Sequence, residues 1–301
     1  MSKDLKNLLS LAGLALIWGS SFILMKRVLE TPEGGALYSP VALGGMRLFL
    51  AGLTLSPLAY KALKKVKKQS LVPIAVVGII GNGIPAFLFG KAQTVILSGM
   101  AGILNSLTPL FVVILGVLFF SLKLNLKIIL GLLLGFIGAV GLIIYRENTS
   151  IELDSAILTY SSLIVLATFC YGLSVNTIQH YLKNEKPIHI GALGLSMAGI
   201  LGGIILIFSD FSETLETHPN ALSGIGYCAI LAIIGTAMAV IWFNHLVQNS
   251  SAIFASLVTY LIPIVALFWG ILDDEKFTLT QAICGVIILL GVYIVKLGRK
   301  N

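Results

Sequence analysis

The chain has 301 residues, of which 57% are hydrophobic and only 11% charged, and its mean hydropathy is +0.99. Soluble domains carry about 25% charged residues, so this composition excludes a water-soluble globular fold and points to the bilayer. The formal charge of +7 raises a nucleic-acid or acidic partner, a reading removed by where the charges stand.

A membrane-crossing helix needs about 20 apolar residues, and charge-poor runs of that length recur along the whole chain. In order they are Leu8–Met25, Tyr38–Tyr60, Leu71–Gly90, Ala92–Leu122, Ile128–Tyr145, Ser155–Gln179, Ile190–Ser209, Ala221–Asn244, Leu246–Leu272 and Phe277–Val295. Arg47 interrupts the second run, and Lys91 and His245 divide two stretches too long for one crossing. The first run has no small-residue cleavage pattern and opens a series of spans, so it reads as a retained span rather than a signal peptide. Cys170, Cys228 and Cys284 all lie inside apolar runs and form no CxxC, which predicts free buried thiols.

With the N-terminus in the cytoplasm, fourteen Lys and Arg residues fall on the inner side, five on the outer side, and Arg47 alone within a span. Of the acidic residues only Asp4 and Glu185 fall inside. This bias predicts cytoplasmic termini. It makes the excess charge a topology signal at anionic headgroups rather than a nucleic-acid footprint.

The chain repeats itself. Gly81 and Pro109 stand 28 residues apart, as do Gly235 and Pro263, an offset of 154. At that offset Phe89 matches Phe243, Ala101 matches Ala255, Gly116 matches Gly270 and Gly131 matches Gly285; Trp18-Gly19-Ser20-Ser21 faces Tyr171-Gly172-Leu173-Ser174 at 153. The reading is two five-span halves, 1–148 and 149–301. An odd number of spans per half makes the second enter the membrane inverted. Transporters use such repeats, with the site near the midplane between the halves. The predicted fold class is an all-α polytopic membrane protein with ten transmembrane helices in two inverted five-helix repeats.

Trp18-Gly19-Ser20-Ser21-Phe22-Ile23-Leu24-Met25-Lys26 in the first span and Met46-Arg47-Leu48-Phe49-Leu50-Ala51 in the second form an ordered motif set. Ser98-Gly99-Met100-Ala101-Gly102-Ile103 runs on to Thr108-Pro109 in the fourth span. Ser250-Ser251-Ala252 runs through Pro263 to Glu275, Gln281, Gly285 and Gly291. In order and spacing, over nearly the whole chain, these resemble the EamA-type exporters of the drug/metabolite transporter superfamily. The family usually has an acidic residue after the fourth and ninth spans; Glu275 fits, whereas Ser121 stands at the first-half position. The resemblance implies a central cavity lined by spans 1, 3, 4, 6, 8 and 9, and location in a bacterial inner membrane.

A buried amide or hydroxyl in hydrocarbon needs a partner, either a neighbouring helix or a substrate. The candidate substrate-binding residues are Trp18, Ser21, Asn82, Asn105, Tyr171, Asn176, Trp242 and Tyr260; Ser20, Gln93, Ser106, Thr108, Ser174, Asn244 and Thr259 are further polar residues of those spans. Trp18 lies too far from either end of its span for an interfacial role. Arg47 is either an anion anchor or a structural arginine bonded to a neighbouring helix, the structural reading being preferred. Lys91 and His245 occupy matching places at opposite faces, where they mark span ends by snorkelling or act in gating. Pro85, Pro109 and Pro263 are expected to bend helices.

No span contains Asp or Glu. This suggests facilitated diffusion, or coupling through another group, with His245 as the candidate. Neutral polar and aromatic residues suit amino acids or related metabolites. The alternatives are a phosphate-ester or nucleotide-sugar antiporter of the same superfamily, and a channel. An intramembrane enzyme lacks its expected motifs. Expected partners are a small-molecule substrate and the lipid bilayer, with no nucleic acid, metal or cofactor, and a monomer as the working unit.

Overall fold

The computed structural model describes residues 2–31, 35–96, 98–147, 155–272 and 279–298. The expected boundary near 148/149 and Glu275 lie outside these residues. Every described element is helical, apart from an isolated bridge between Glu30 and Ala36.

In chain order the helices are α1 (Lys3–Leu29), α2 (Pro40–Leu63), α3 (Lys68–Ala92), α4 (Ser98–Asn105), α5 (Thr108–Phe120), α6 (Leu126–Glu147), α7 (Ser155–Tyr181), α8 (Pro187–Ile207), α9 (Phe211–Thr217), α10 (Ala221–Asn249), α11 (Ala252–Ser256), α12 (Val258–Leu272) and α13 (Leu279–Gly298). Six of them (α1, α2, α3, α7, α8 and α10) are long and apolar enough to cross a membrane, and shorter apolar helices lie at Thr108–Phe120, Leu126–Gly141, Ala252–Val265 and Ala282–Gly298. Large apolar side chains such as Leu118, Ile207 and Leu222 stand exposed on the outer surface, an arrangement that hydrocarbon accepts and water penalises.

The helix starts follow from local chemistry. Ser39 caps α2 by accepting from the Ala42 N–H, with Pro40 in the first turn, where its missing N–H costs nothing. Ser251 caps α11 by accepting from Phe254, and Asn125 opens α6 by accepting from Ile128. Ser121 ends α5 in the left-handed conformation, φ 52°.

Two expected breaks fall elsewhere. Helix α3 runs through Lys91 to Ala92, and α10 runs through His245 to Asn249. Both side chains are exposed, so each helix carries its basic residue on an outer face and continues to a break that opens at Gln93 or Ser250. Pro109 sits in the first turn of α5 after a break at 106–107, and Pro263 lies within α12.

Small residues let the helices approach closely, the usual basis of helix association in lipid. Helix α2 packs along α8 and α6 along α13. A Cβ at Gly52 would stand 2.9 Å from the Gly199 Cα, and one at Gly131 2.8 Å from the Gly291 carbonyl oxygen. A Cβ at Gly78 would overlap the Gly194 backbone where α3 crosses α8. Gly285, matched to Gly131 by sequence, has open space around it. Cys170, Cys228 and Cys284 are free and buried.

The bundle has two ends. At the first, Lys296 pairs with Asp4 (3.8 Å), Asn125 donates to the Gly298 carbonyl, and Ser70 Oγ donates to Glu185 Oε1 (2.7 Å). Gln248 Nε2 there donates to the carbonyls of Leu182 and Glu185, both at 2.8 Å, and Gln179 accepts from the Ala252 N–H. At the second end the Asp210 carboxylate accepts from both the N–H and the Oγ of Ser39. Tyr38 donates to the Ala221 carbonyl at 3.2 Å and stacks on Phe211.

Candidate functional site

Within α3, residues Val76–Gly83 are wound as π-helix, and within α10 residues Ile233–Met238 are. A π turn bonds each N–H five residues back, so it leaves main-chain carbonyls without their α-helical partner, and such turns gather at functional sites. In each segment a polar side chain satisfies one of those carbonyls. Asn82 Nδ2 donates to Val77 O at 2.8 Å, and Thr236 Oγ1 donates to Leu231 O at 3.0 Å. At the offset of 154 Asn82 corresponds to Thr236 and Val77 to Leu231.

These two segments face one cavity, which offers about 130 Å³ to the centres of water molecules; a single water needs about 10–15 Å³. Its walls come from both halves of the chain. Trp18 and Ser21 reach it from α1, Arg47 from α2, Gly81, Asn82 and Phe89 from α3, and Asn105 and Thr108 from α4 and α5. Tyr171 and Ser174 enter from α7, Gly235, Thr236, Phe243 and Asn244 from α10, and Ser256 and Thr259 from α11 and α12.

The lining is built in matched pairs. A Cβ at Gly81 would overlap the Ser174 side chain, and one at Gly235 would stand 3.0 Å from Ser21 Oγ; Ser21 and Ser174 are equivalent at 153, Gly81 and Gly235 at 154. Trp18 packs on Phe243 with ring centroids 5.2 Å apart, and the equivalent Tyr171 packs on the equivalent Phe89 at 6.2 Å. Each half thus places one serine and one aromatic ring against the π segment and ring of the other. Gly81 leaves no room for a side chain, which would occupy the place of Ser174, whereas at Gly235 a methyl group would only crowd the Ser21 hydroxyl.

The pairs differ in their bonds. Trp18 Nε1 donates to Gly235 O at 3.0 Å, using a carbonyl of the second π segment. Arg47 Nε donates to Thr236 Oγ1 at 2.8 Å, and its Nη1 lies 3.8 Å from Met25 Sδ. Asn244 is buried, and its Nδ2 has no hydrogen-bond partner among the described residues.

Five of the eight candidate substrate-binding residues, Trp18, Ser21, Asn82, Asn105 and Tyr171, stand on this wall. The other three do not. Asn176 donates to Val112 O and Gly172 O, both at 2.9 Å, tying α7 to α5. Tyr260 is fully buried, and its hydroxyl donates to Leu132 O at 3.0 Å. Trp242 is exposed on the outer flank, packed over Gly13.

His245 stands with Trp242 and Lys186 in a shallow outer groove rather than on the cavity wall, which corrects its reading as a cavity-side coupling group. Lys91 Nζ sits 5.8 Å above the Tyr160 ring. The implied lining omitted the second span, which contributes Arg47 and Leu48. Thr236 was also missed; its signal was the offset of 154 from Asn82.

Comparison with known proteins agrees with this architecture. The EamA-like transporter family matches residues 5–144 and again 158–297, once in each half. An uncharacterized transporter of Archaeoglobus fulgidus is 26% identical over 293 residues, covering 97% of this chain and 99% of its own. The uncharacterized transporter YoaV of Bacillus subtilis is 24% identical, with 96% of both chains covered. The uncharacterized inner membrane transporter YedA of Escherichia coli K12 is 25% identical, covering 96% of this chain and 90% of its own. A solved crystal structure superposes with a TM-score of 0.71 at 14% identity, covering 96% of each chain. The two family matches, falling on the two sets of helices that wall one cavity, make this multi-pass membrane protein a member of the EamA-like transporter family.

Proposed function

We propose that the protein is a secondary carrier that moves small polar metabolites, amino acids or related compounds, by alternating access through this cavity. In this reading the helices make ten crossings as two inverted five-helix repeats, with both termini cytoplasmic and the direction of transport outward. The bacterial inner membrane is its location, in line with the name of the Escherichia coli relative.

The observation that carries the reading is the matched pairing of the wall. Ser21 against Gly235 and Ser174 against Gly81, with Trp18 on Phe243 and Tyr171 on Phe89, give one site two equivalent corners. Inverted halves that exchange conformations open such a site first to one side and then to the other. The clasps suit this cycle. Ser39 with Asp210 holds one end, and Ser70 with Glu185 holds the other, each by a few hydrogen bonds that a conformational change can break. The aromatic rings and neutral amides and hydroxyls of the wall fit a compact metabolite with an apolar part.

Sealed proteoliposomes containing the purified protein test this with a labelled amino-acid panel, with and without a preloaded pool and a pH gradient. The expected result is saturable uptake accelerated by preloaded substrate. Uptake that never saturates and ignores preloading identifies a channel. Absence of uptake across the amino-acid panel with uptake of sugar phosphates identifies a phosphate-ester carrier.

A further inference from the structure

The paired construction of the cavity does not extend to Arg47. Arg47 has Leu201 at its equivalent position, an exposed apolar side chain on the outer surface. Among the described residues the guanidinium is the one charged group on the wall, with no Asp or Glu beside it. It has five N–H donors in a planar fork. The Nε–H is engaged by Thr236 Oγ1, and Nη1 has only the thioether of Met25, a weak acceptor. No carboxylate among the described residues pairs with it. A cation held at this depth is costly unless a partner or water satisfies it. The bond to Thr236 fixes the orientation of the fork without neutralising it.

From this geometry we infer that Arg47 is the recognition residue for a carboxylate on the transported molecule, binding it through the N–H groups left free by Thr236 and Met25. The inference rests on the cavity being the transport site and specifies its substrate class. A planar carboxylate matches the guanidinium fork in two parallel hydrogen bonds, and removal of water from the cavity strengthens both. The two ring pairs, Trp18 with Phe243 and Phe89 with Tyr171, offer apolar and π surface to the remainder of the ligand. Among the described residues the wall has no carboxylate to hold an ammonium group, so the carboxylate is the shared chemistry of two classes, α-amino acids and simple carboxylic acids. A phosphate ester would bring two negative charges against one arginine.

The test is binding by the purified full-length protein in detergent, measured calorimetrically. The probes are L-phenylalanine and 3-phenylpropionate, each against its amide. The expected result is that the acids bind at least about thirtyfold more tightly than the amides, the scale of removing one member of a buried charge pair. Arg47→Gln removes that preference, so that acid and amide bind alike, while Arg47→Lys keeps part of it. Tighter binding of phenylalanine than of phenylpropionate identifies amino acids; the reverse order identifies plain acids.

Thr236→Val, which removes the orienting bond but keeps the charge, narrows the preference for acid over amide; this keeps the inference testable if Arg47→Gln does not fold. Equal binding of acids and amides by the native protein, no acid binding at all, or undiminished preference in Arg47→Gln overturns it. Acid binding that depends on Arg47, together with an absence of uptake in proteoliposomes, sinks the carrier reading and leaves the carboxylate site standing.

Discussion

At one corner of the cavity the Trp18 indole reaches across to the carbonyl of Gly235, and Thr236 beside it holds Arg47. At the equivalent corner Tyr171 makes no hydrogen bond among the described residues, Asn82 donates within its own helix, and Ser174 is pressed directly against Gly81. The first contact is polar and adjustable, and the second is steric. Shared elements, the π segment with a glycine facing a serine, are what both halves need to surround one site. The elements found once, the indole bond and Arg47, distinguish the two directions in which a bound molecule can lie.

The steric corner gives the largest expected effect. Gly81→Ala forces a methyl group into Ser174, at a cost of about 1–3 kcal/mol, read as a lowered midpoint of thermal unfolding in detergent. Gly235→Ala, with 3.0 Å to a hydroxyl, shifts the midpoint much less. Ser174→Gly restores the loss in Gly81→Ala and does nothing for Gly235→Ala; equal effects at both glycines would erase the distinction between the corners.

The clasps come next. Asp210→Ala removes both bonds from Ser39, and Glu185→Ala removes the bond from Ser70. Each opens its own end by about tenfold, from the ~1.4 kcal/mol expected of such hydrogen bonds. A single cysteine at Ala86 on the cavity wall, in a background lacking the native cysteines, reports this as faster maleimide labelling. Acceleration occurs from one side of sealed vesicles for Asp210→Ala and from the other for Glu185→Ala; acceleration from the same side in both variants breaks the alternating-access reading.

Trp18→Phe keeps the ring contact and loses the bond to Gly235, costing about 1 kcal/mol of stability, whereas Tyr171→Phe is close to neutral because no hydrogen bond to the described residues is lost. Calorimetric unfolding of the two variants checks the asymmetry. The smallest effect is Trp242→Phe, which leaves substrate affinity unchanged in uptake assays because the side chain packs on the outer flank.

Hydropathy and repeat spacing made the helical membrane class, the two family-matched halves and five of the cavity-lining candidates legible. Which way a side chain points was not. In a soluble helix the polar face names the exposed side, but a helix in lipid is apolar on its outer face and largely apolar within. Trp242 and Trp18 therefore look alike in sequence, although one lies on the flank and the other on the wall. Tyr260 and Asn176 look like ligand-binding residues because their carbonyl partners, Leu132, Val112 and Gly172, come from the backbone, and any residue supplies a carbonyl. Lys91 and His245 suggested chain breaks because charge lowers local hydropathy, yet a basic residue on an exposed flank leaves the helix intact. The π segments have no composition of their own, and with them Thr236 stayed hidden among ordinary threonines.

Those segments have a mechanical consequence. Each π turn holds one residue more than an α turn of the same height, so it behaves as a movable dislocation in the rod. Passing that residue to the next turn rotates the intervening segment by about 100° and advances it by about 1.5 Å, the α-helical step, while the helix keeps its total length and both anchored ends. Asn82 and Thr236 sit inside the two dislocations, so such a slip would exchange the face each presents to the cavity without moving either end of its helix.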